Sequence, residues 1–162
     1  MSEILDDYET KERYYATKLF KYIPEIIDFT FTSGRICYDC IIKTVDKTIL
    51  GEIKIRNFGI NKYNTYILEV EKLLGLCKKA HKDKFDRIYY VNFFESEHPN
   101  NKDFIIFNLL PRIKEWKINS PKIEQKYMNA KTYISDDYKI IKNVIMLEYR
   151  SDIDAKGILT LK

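Results

Sequence analysis

Long hydrophobic runs are missing from this sequence. Nowhere does it approach the roughly eighteen consecutive apolar residues of a membrane-spanning helix, so no membrane partner is expected. The stretch Met1 to Asp7 is acidic and has no apolar core, so no secretory signal is expected and the cytosol is the expected compartment. Cysteine is scarce: three residues are an odd number and too few for a disulfide framework. Cys37 and Cys40 have the spacing of a zinc knuckle, but they fall in an expected strand, where residues three apart point to opposite faces. With no second pair, they read as small buried hydrophobes. His81 and His98 are isolated and suggest no site. Arginine is sparse beside lysine, so the net charge of +4 looks more like general solvation than a dedicated phosphate-reading surface. Internal repeats and low-complexity linkers are absent.

What is present is the composition of a globular domain. Hydrophobic residues make up 45% and charged residues 32% of 162, enough for one buried core. A single domain over 1–162 is expected, with a core at 8–109 and a C-terminal extension at 110–162. Residues 8–23 carry an apolar stripe at helical spacing (Tyr8, Tyr15, Ala16, Leu19, Ile23), with Asp6 and Asp7 as caps and Pro24 as the stop. Strands are expected at 26–32, 36–45 and 48–56, joined by turns at Ser33-Gly34 and Asp46-Lys47 into an antiparallel meander. A long helix is expected over 62–82, with Tyr63, Ile67, Val70, Leu74 and Cys77 as its buried stripe. Strands at 87–94 and 103–109 follow, then a less regular tail from Pro111 with one further strand at 144–149. The fold class is α/β, a mixed sheet flanked by helices.

The hairpin 36–56 carries the chemistry. With a two-residue turn, Asp39 falls opposite Lys54, and Glu52 lies diagonal to Asp39 on the same face. Cys40, Ile42, Ile49, Ile53 and Ile55 fall on the other face, a core face. Two carboxylates and an ammonium then gather within about 8 Å. Phosphodiester hydrolysis needs such a group: a hard cation such as Mg²⁺ takes a few carboxylates and keeps waters. Asp39 and Glu52 would supply the ligands, with the carbonyl of Ile53, and Lys54 would hold the water or stabilise charge at phosphorus. Glu12 lies in the apolar stripe of the first helix and needs a partner there, either a metal or Lys54.

Asp39, a gap of twelve residues, then Glu52-Ile53-Lys54, set in Tyr-Asp-Cys-Ile-Ile and Gly-Glu-Ile-Lys-Ile-Arg, resembles the PD-(D/E)XK nuclease superfamily, notably its small phage and bacterial members. The resemblance spans residues 8–109. It implies a restriction-endonuclease-like αβββαβ core and Mg²⁺-dependent cleavage of DNA, with Mn²⁺ as a substitute, in the cytoplasm of a bacterium or phage-infected cell. By resemblance, Asp39 and Glu52 are metal ligands, Lys54 is the catalytic lysine, Glu12 is the acidic residue of the first helix, and Glu69 or Lys72 is the polar residue of the following helix. Cutting two strands would favour a homodimer. Tyr38 stands where the motif's proline would be, and no four-cysteine set marks an iron–sulfur branch. Plainer readings stand beside these: Asp39 and Lys54 as a cross-strand ion pair, Glu12 as a helix-dipole acid, Glu69 and Lys72 as a helix-surface pair, and Lys78, Lys79, Lys82 and Lys84 as dipole-matched cations. A catalytically lapsed nucleic-acid-binding or protein-interaction module on the same fold is the alternative function.

Overall fold

The computed structural model describes residues 2–33, 36–129 and 139–162, with side chains from Asp7 onward. The expected Ser33-Gly34 turn falls partly outside them. The first helix, α1 (Ser2–Tyr22), starts six residues earlier than its apolar stripe does. Asp6 and Asp7 therefore lie inside it and do not cap it. Its buried residues are Ala16, Leu19 and Phe20, whereas Tyr8 is 40% exposed.

Three strands follow: β1 (Ile26–Phe31), β2 (Cys40–Thr44) and β3 (Thr48–Gly59). They form the expected antiparallel meander. The register differs from the expected one, because Cys40 pairs with Gly51 and Lys43 with Thr48. The turn falls at Val45-Asp46, one residue earlier than expected, and is held by its own polar groups. Thr44 N–H donates to the carbonyl of Lys47 at 2.9 Å, and Lys47 N–H donates to Thr44 Oγ1 at 3.1 Å. Asp39 thus comes across from Glu52, not Lys54. A slip of two residues keeps every side chain on its face, so the expected grouping survives. Gly51 admits the close approach of the strands, since a Cβ there would sit 2.5 Å from Cys40 Sγ.

The expected helix over 62–82 is two elements. Thr65–Glu69 is a strand, β4, and only Val70–Lys82 is helical, α2. Tyr66 and Leu68 alternate inward, the period of a strand, and Glu69 is still extended (φ −68°, ψ 130°). The buried positions of α2 are Leu73, Leu76 and Ala80, while Leu74 of the expected stripe is 63% exposed. β5 (Arg87–Glu95) and β6 (Asn101–Asn108) match expectation closely. Pro111 begins no irregular tail. It sits in the first turn of α3 (Leu109–Trp116), where a missing N–H costs nothing. β7 (Glu124–Asn129), β8 (Lys139–Glu148) and β9 (Ala155–Thr160) complete the order, and the expected strand at 144–149 is the second half of β8.

The main sheet runs β1-β2-β3-β5-β6-β9, antiparallel throughout except for the parallel pair β3–β5. A smaller sheet runs β4-β8-β7. One face of β3 packs Ile49 and Ile53 with Cys40, Ile42 and the α1 residues; the other packs Leu50 with Leu73 and Leu76 of α2 and Tyr66, Leu68 and Leu147 of the smaller sheet. As expected, Cys40 and Cys37 face opposite cores. Among the described residues no helix is long and apolar enough to cross a membrane.

Candidate active site

β2 gives way at Asp39 while β3 runs on to Gly59, and the site forms at this split. Asp39 N–H still donates to the carbonyl of Gly51 at 2.9 Å. Its side chain then takes over from the strand ladder, with Oδ2 accepting the amide of Ile53 at 2.7 Å. Of the alternating residues on this face of β3, Leu50 enters the core, and Glu52 and Lys54 follow it.

Glu52 is fully buried. Lys54 Nζ lies 3.2 Å and Lys72 Nζ 3.0 Å from its Oε1. Both ammonium groups stand at ion-pair distance without hydrogen-bond alignment, so neither Glu52 oxygen has a hydrogen-bonding partner. Burial pushes the Glu52 carboxyl up to about 7; Lys54 and Lys72 oppose the rise, and the adjacent Asp39 carboxylate adds to it. Glu12 is also pushed up to about 7, by burial first, with Lys54 opposing and Asp39 and Glu52 adding. For Lys54, burial pulls its pKa down, but Glu52, Glu12 and Asp39 outweigh that and raise it overall. All four groups therefore feel one another.

The helix-dipole account of Glu12 fails, because α1 begins at Ser2 and Glu12 lies turns away from its N-terminus. Glu12, Asp39 and Ile53 instead line a cavity of about 30 Å³ together with Glu9, Arg13 and Thr32. Lys54 and Lys72 line a separate open cleft. Glu52 is buried and lines neither space, but its ion pairs with Lys54 and Lys72 connect it to the basic groove. Lys72 and Glu69 do not pair with each other: Lys72 joins the cluster, whereas Glu69 binds Lys142 of β8 at 3.0 Å, away from Glu52. Lys79 pairs with Asp83 in the last turn of α2, in keeping with its plainer reading.

The carboxylate oxygens are hard donors of the kind Mg²⁺ or Mn²⁺ takes, and the two unpartnered Glu52 oxygens beside Asp39 fit such an ion. Among the described residues, no three of His, Cys, Asp and Glu form a ready-made cage. The fit is that of an ion keeping several of its waters.

Arg56 escaped the sequence reading, although it continues the alternation 52, 54, 56. Its guanidinium donates to Asn92 Oδ1 (2.9 Å), Tyr90 Oη (2.6 Å) and the carbonyl of Ile67 (3.0 Å), tying β3 to β5 and β4. Lys142 and Tyr127 also line the cleft. They were hidden because β4, β7 and most of β8 were not anticipated.

No protein-family model matches the chain, and no curated protein matches it. Among solved structures, that of Hjc, a Holliday junction resolvase from the archaeal hyperthermophile Archaeoglobus fulgidus, is similar. The TM-score is 0.50 over 85% of this chain and 84% of that one, at 11% identity. At that identity the likeness is one of fold. The chain shares the fold of that resolvase, and its mixed sheet flanked by helices is the expected restriction-endonuclease-like architecture.

Proposed function

We propose that the protein is a Mg²⁺-dependent nuclease that hydrolyses phosphodiester bonds of DNA. The observation that carries this reading is Glu52. A fully buried carboxylate with two lysines at ion-pair distance but no aligned hydrogen bond, beside a second carboxylate, is costly for stability and is of the sort that functional sites retain. Asp39 and Glu52, with Glu12 and the carbonyl of Ile53, would hold the ion. Bound there, Mg²⁺ would neutralise phosphate charge and acidify a water.

The chain's own residues do the rest. The Ile53 amide fixes the Asp39 carboxylate through Oδ2. Lys54 stays protonated beside three carboxylates and meets negative charge building at phosphorus. Lys72 holds Glu52 from the α2 side and lines the cleft, where its charge would meet phosphates. Likeness in fold to a Holliday junction resolvase supports including branched DNA among the substrates, and a homodimer would supply the second site needed to cut a second strand.

One observation favours the alternative of a binding module with a lapsed site: two lysines already neutralise Glu52. Incubation of the wild type and Glu52→Gln with single-stranded, duplex and branched DNA, in Mg²⁺, Mn²⁺ and EDTA, separates the two. The nuclease reading expects metal-dependent cleavage by wild type alone. Binding without cleavage in every condition would establish the module instead.

A further inference from the structure

Beside Lys54 the main sheet and the smaller sheet bound an open cleft of about 1060 Å³. That is slightly more than the roughly 300–1000 Å³ of small-molecule sites, and it is open rather than enclosed. Its described lining holds seven cationic side chains against three carboxylates. Each of those carboxylates is already paired with a lysine: Asp7 with Lys11, Glu69 with Lys142, and Glu95 with Lys102. Lys62 has no carboxylate partner among the described residues; its ammonium lies 5.8 Å from the Phe58 ring centre and 5.4 Å from that of Tyr63. Lys54 and Lys72 share the single carboxylate of Glu52, so the groove still has cationic charge left over for an anionic chain.

The second feature is aromatic. Tyr63, in the loop between β3 and β4, and Tyr127 of β7 both line the cleft and are 50% and 71% exposed. Single exposed tyrosines are ordinary. With Tyr8, 40% exposed, Tyr63 and Tyr127 make three in one basic groove that also takes in Lys54 and Lys72, a pattern with a specific use, and these two are the most exposed. Bases stack on aromatic faces at single-strand sites, whereas a duplex keeps its base faces covered by neighbouring pairs. A groove that recognised only duplex backbone would need the lysines but not the rings.

Resting on the reading of the site as a DNA nuclease, we propose that this cleft takes the strand to be cut as unpaired nucleotides. The phosphates lie along Lys54, Lys62 and Lys72, and the bases stack on Tyr63 and Tyr127. The substrate class is DNA with a single-stranded segment at the cut, such as a free end, a flap or an opened arm of a branch.

Fluorescence anisotropy in EDTA, where nothing is cleaved, tests the cleft apart from the chemistry. The probes are a labelled oligo(dT) of about sixteen nucleotides and a blunt duplex of equal length. The single strand is expected to bind about tenfold tighter. Tyr63→Ala and Tyr127→Ala should each weaken it about tenfold, with Tyr→Phe at either position retaining affinity and duplex binding unchanged. Both tyrosines are exposed, so an unchanged melting temperature verifies that the variants fold. Equal or tighter duplex binding, or alanine variants that hold oligo(dT) as well as wild type, would overturn the proposal. Cleavage of the blunt duplex would leave the nuclease reading standing in that case. Tyrosine-dependent single-strand binding by a protein that cleaves nothing would support the cleft and defeat the nuclease reading.

Discussion

Lys54 separates binding from chemistry. It is no ligand of the proposed ion, and its ammonium lies against Glu52 at 3.2 Å. Lys54→Ala is therefore expected to retain Mn²⁺ binding by calorimetry while turnover falls about a hundredfold or more, because its charge matters chiefly as charge builds at phosphorus. A purely structural ion pair with Glu52 would instead change the melting temperature and leave the rate unchanged. Glu12 and Glu52 extend the argument to pH. Both are raised from an ordinary 4.5 to about 7, so between those values the folded protein binds more protons than the unfolded chain. Their contribution to stability is thus fully present below the unfolded value and is lost as pH rises through about 7. The metal-free protein is expected to melt lower at about pH 8 than at about pH 5.5, by a few degrees. Mg²⁺ should restore the loss at the higher pH and do little at the lower, where protons hold the carboxylates. Melting curves of wild type and Glu52→Gln check this; a pH dependence untouched in the variant would remove Glu52 as its source.

The β2–β3 hairpin packs so closely that one position has no room for a side chain. Gly51→Ala would drive a methyl against Cys40 Sγ, and is expected to cost about 1–3 kcal/mol in urea denaturation, with Cys40→Ala in the same background recovering part of it. The faces of this hairpin were legible in the sequence because strand alternation has a period of two. The polar series Asp39, Glu52, Lys54 and the apolar series Cys40, Ile42, Ile49, Ile53 separate cleanly. The register was not legible, because it depends on where the turn falls, and the Thr44–Lys47 hydrogen bonds set it at Val45-Asp46, one residue before the Asp46-Lys47 that the sequence suggests. The helix that became β4 and α2 failed for another reason. Tyr66-Ile67-Leu68 satisfies a helical stripe and a buried strand alike, and the partner that decides between them, Ile145–Leu147 of β8, lies about eighty residues further along the chain. Arg56 then makes β4 part of the site's wall by gripping the carbonyl of Ile67.

The described residues of 110–162 are woven through the core of the molecule. β9 pairs along β6 from Asn101 to Ile106, and β8 covers β4, so both sheets depend on the chain's end. One buried group ties these parts together. Asp154 Oδ1 accepts the amide of Asn108 at 3.0 Å, while Oδ2 accepts the amide of Arg150 at 2.8 Å and the guanidinium of Arg112. Arg112 in turn donates to the carbonyl of Glu148 at 2.8 Å, joining α3 to β8. Removing one partner from such a pair strands the other without compensation, which is far costlier than losing an exposed ion pair. Asp154→Ala is expected to destabilise the protein by about 3–5 kcal/mol, leaving Arg112 buried and unpaired and two backbone amides without acceptors. Asp154→Asn keeps an oxygen and should lose less, while Arg112→Met, which removes the other charge but keeps the volume, should soften the effect of Asp154→Ala in the double variant. The position of this tie yields a stronger expectation: a chain with its core and C-terminal segment on one framework unfolds in a single transition. Urea curves followed by Trp116 fluorescence, which reports on α3, and by far-ultraviolet circular dichroism, which reports on both sheets, should coincide in wild type and shift together in Asp154→Ala. Two separated transitions, with the fluorescence change alone moving in the variant, would mean that 110–162 folds as a unit of its own.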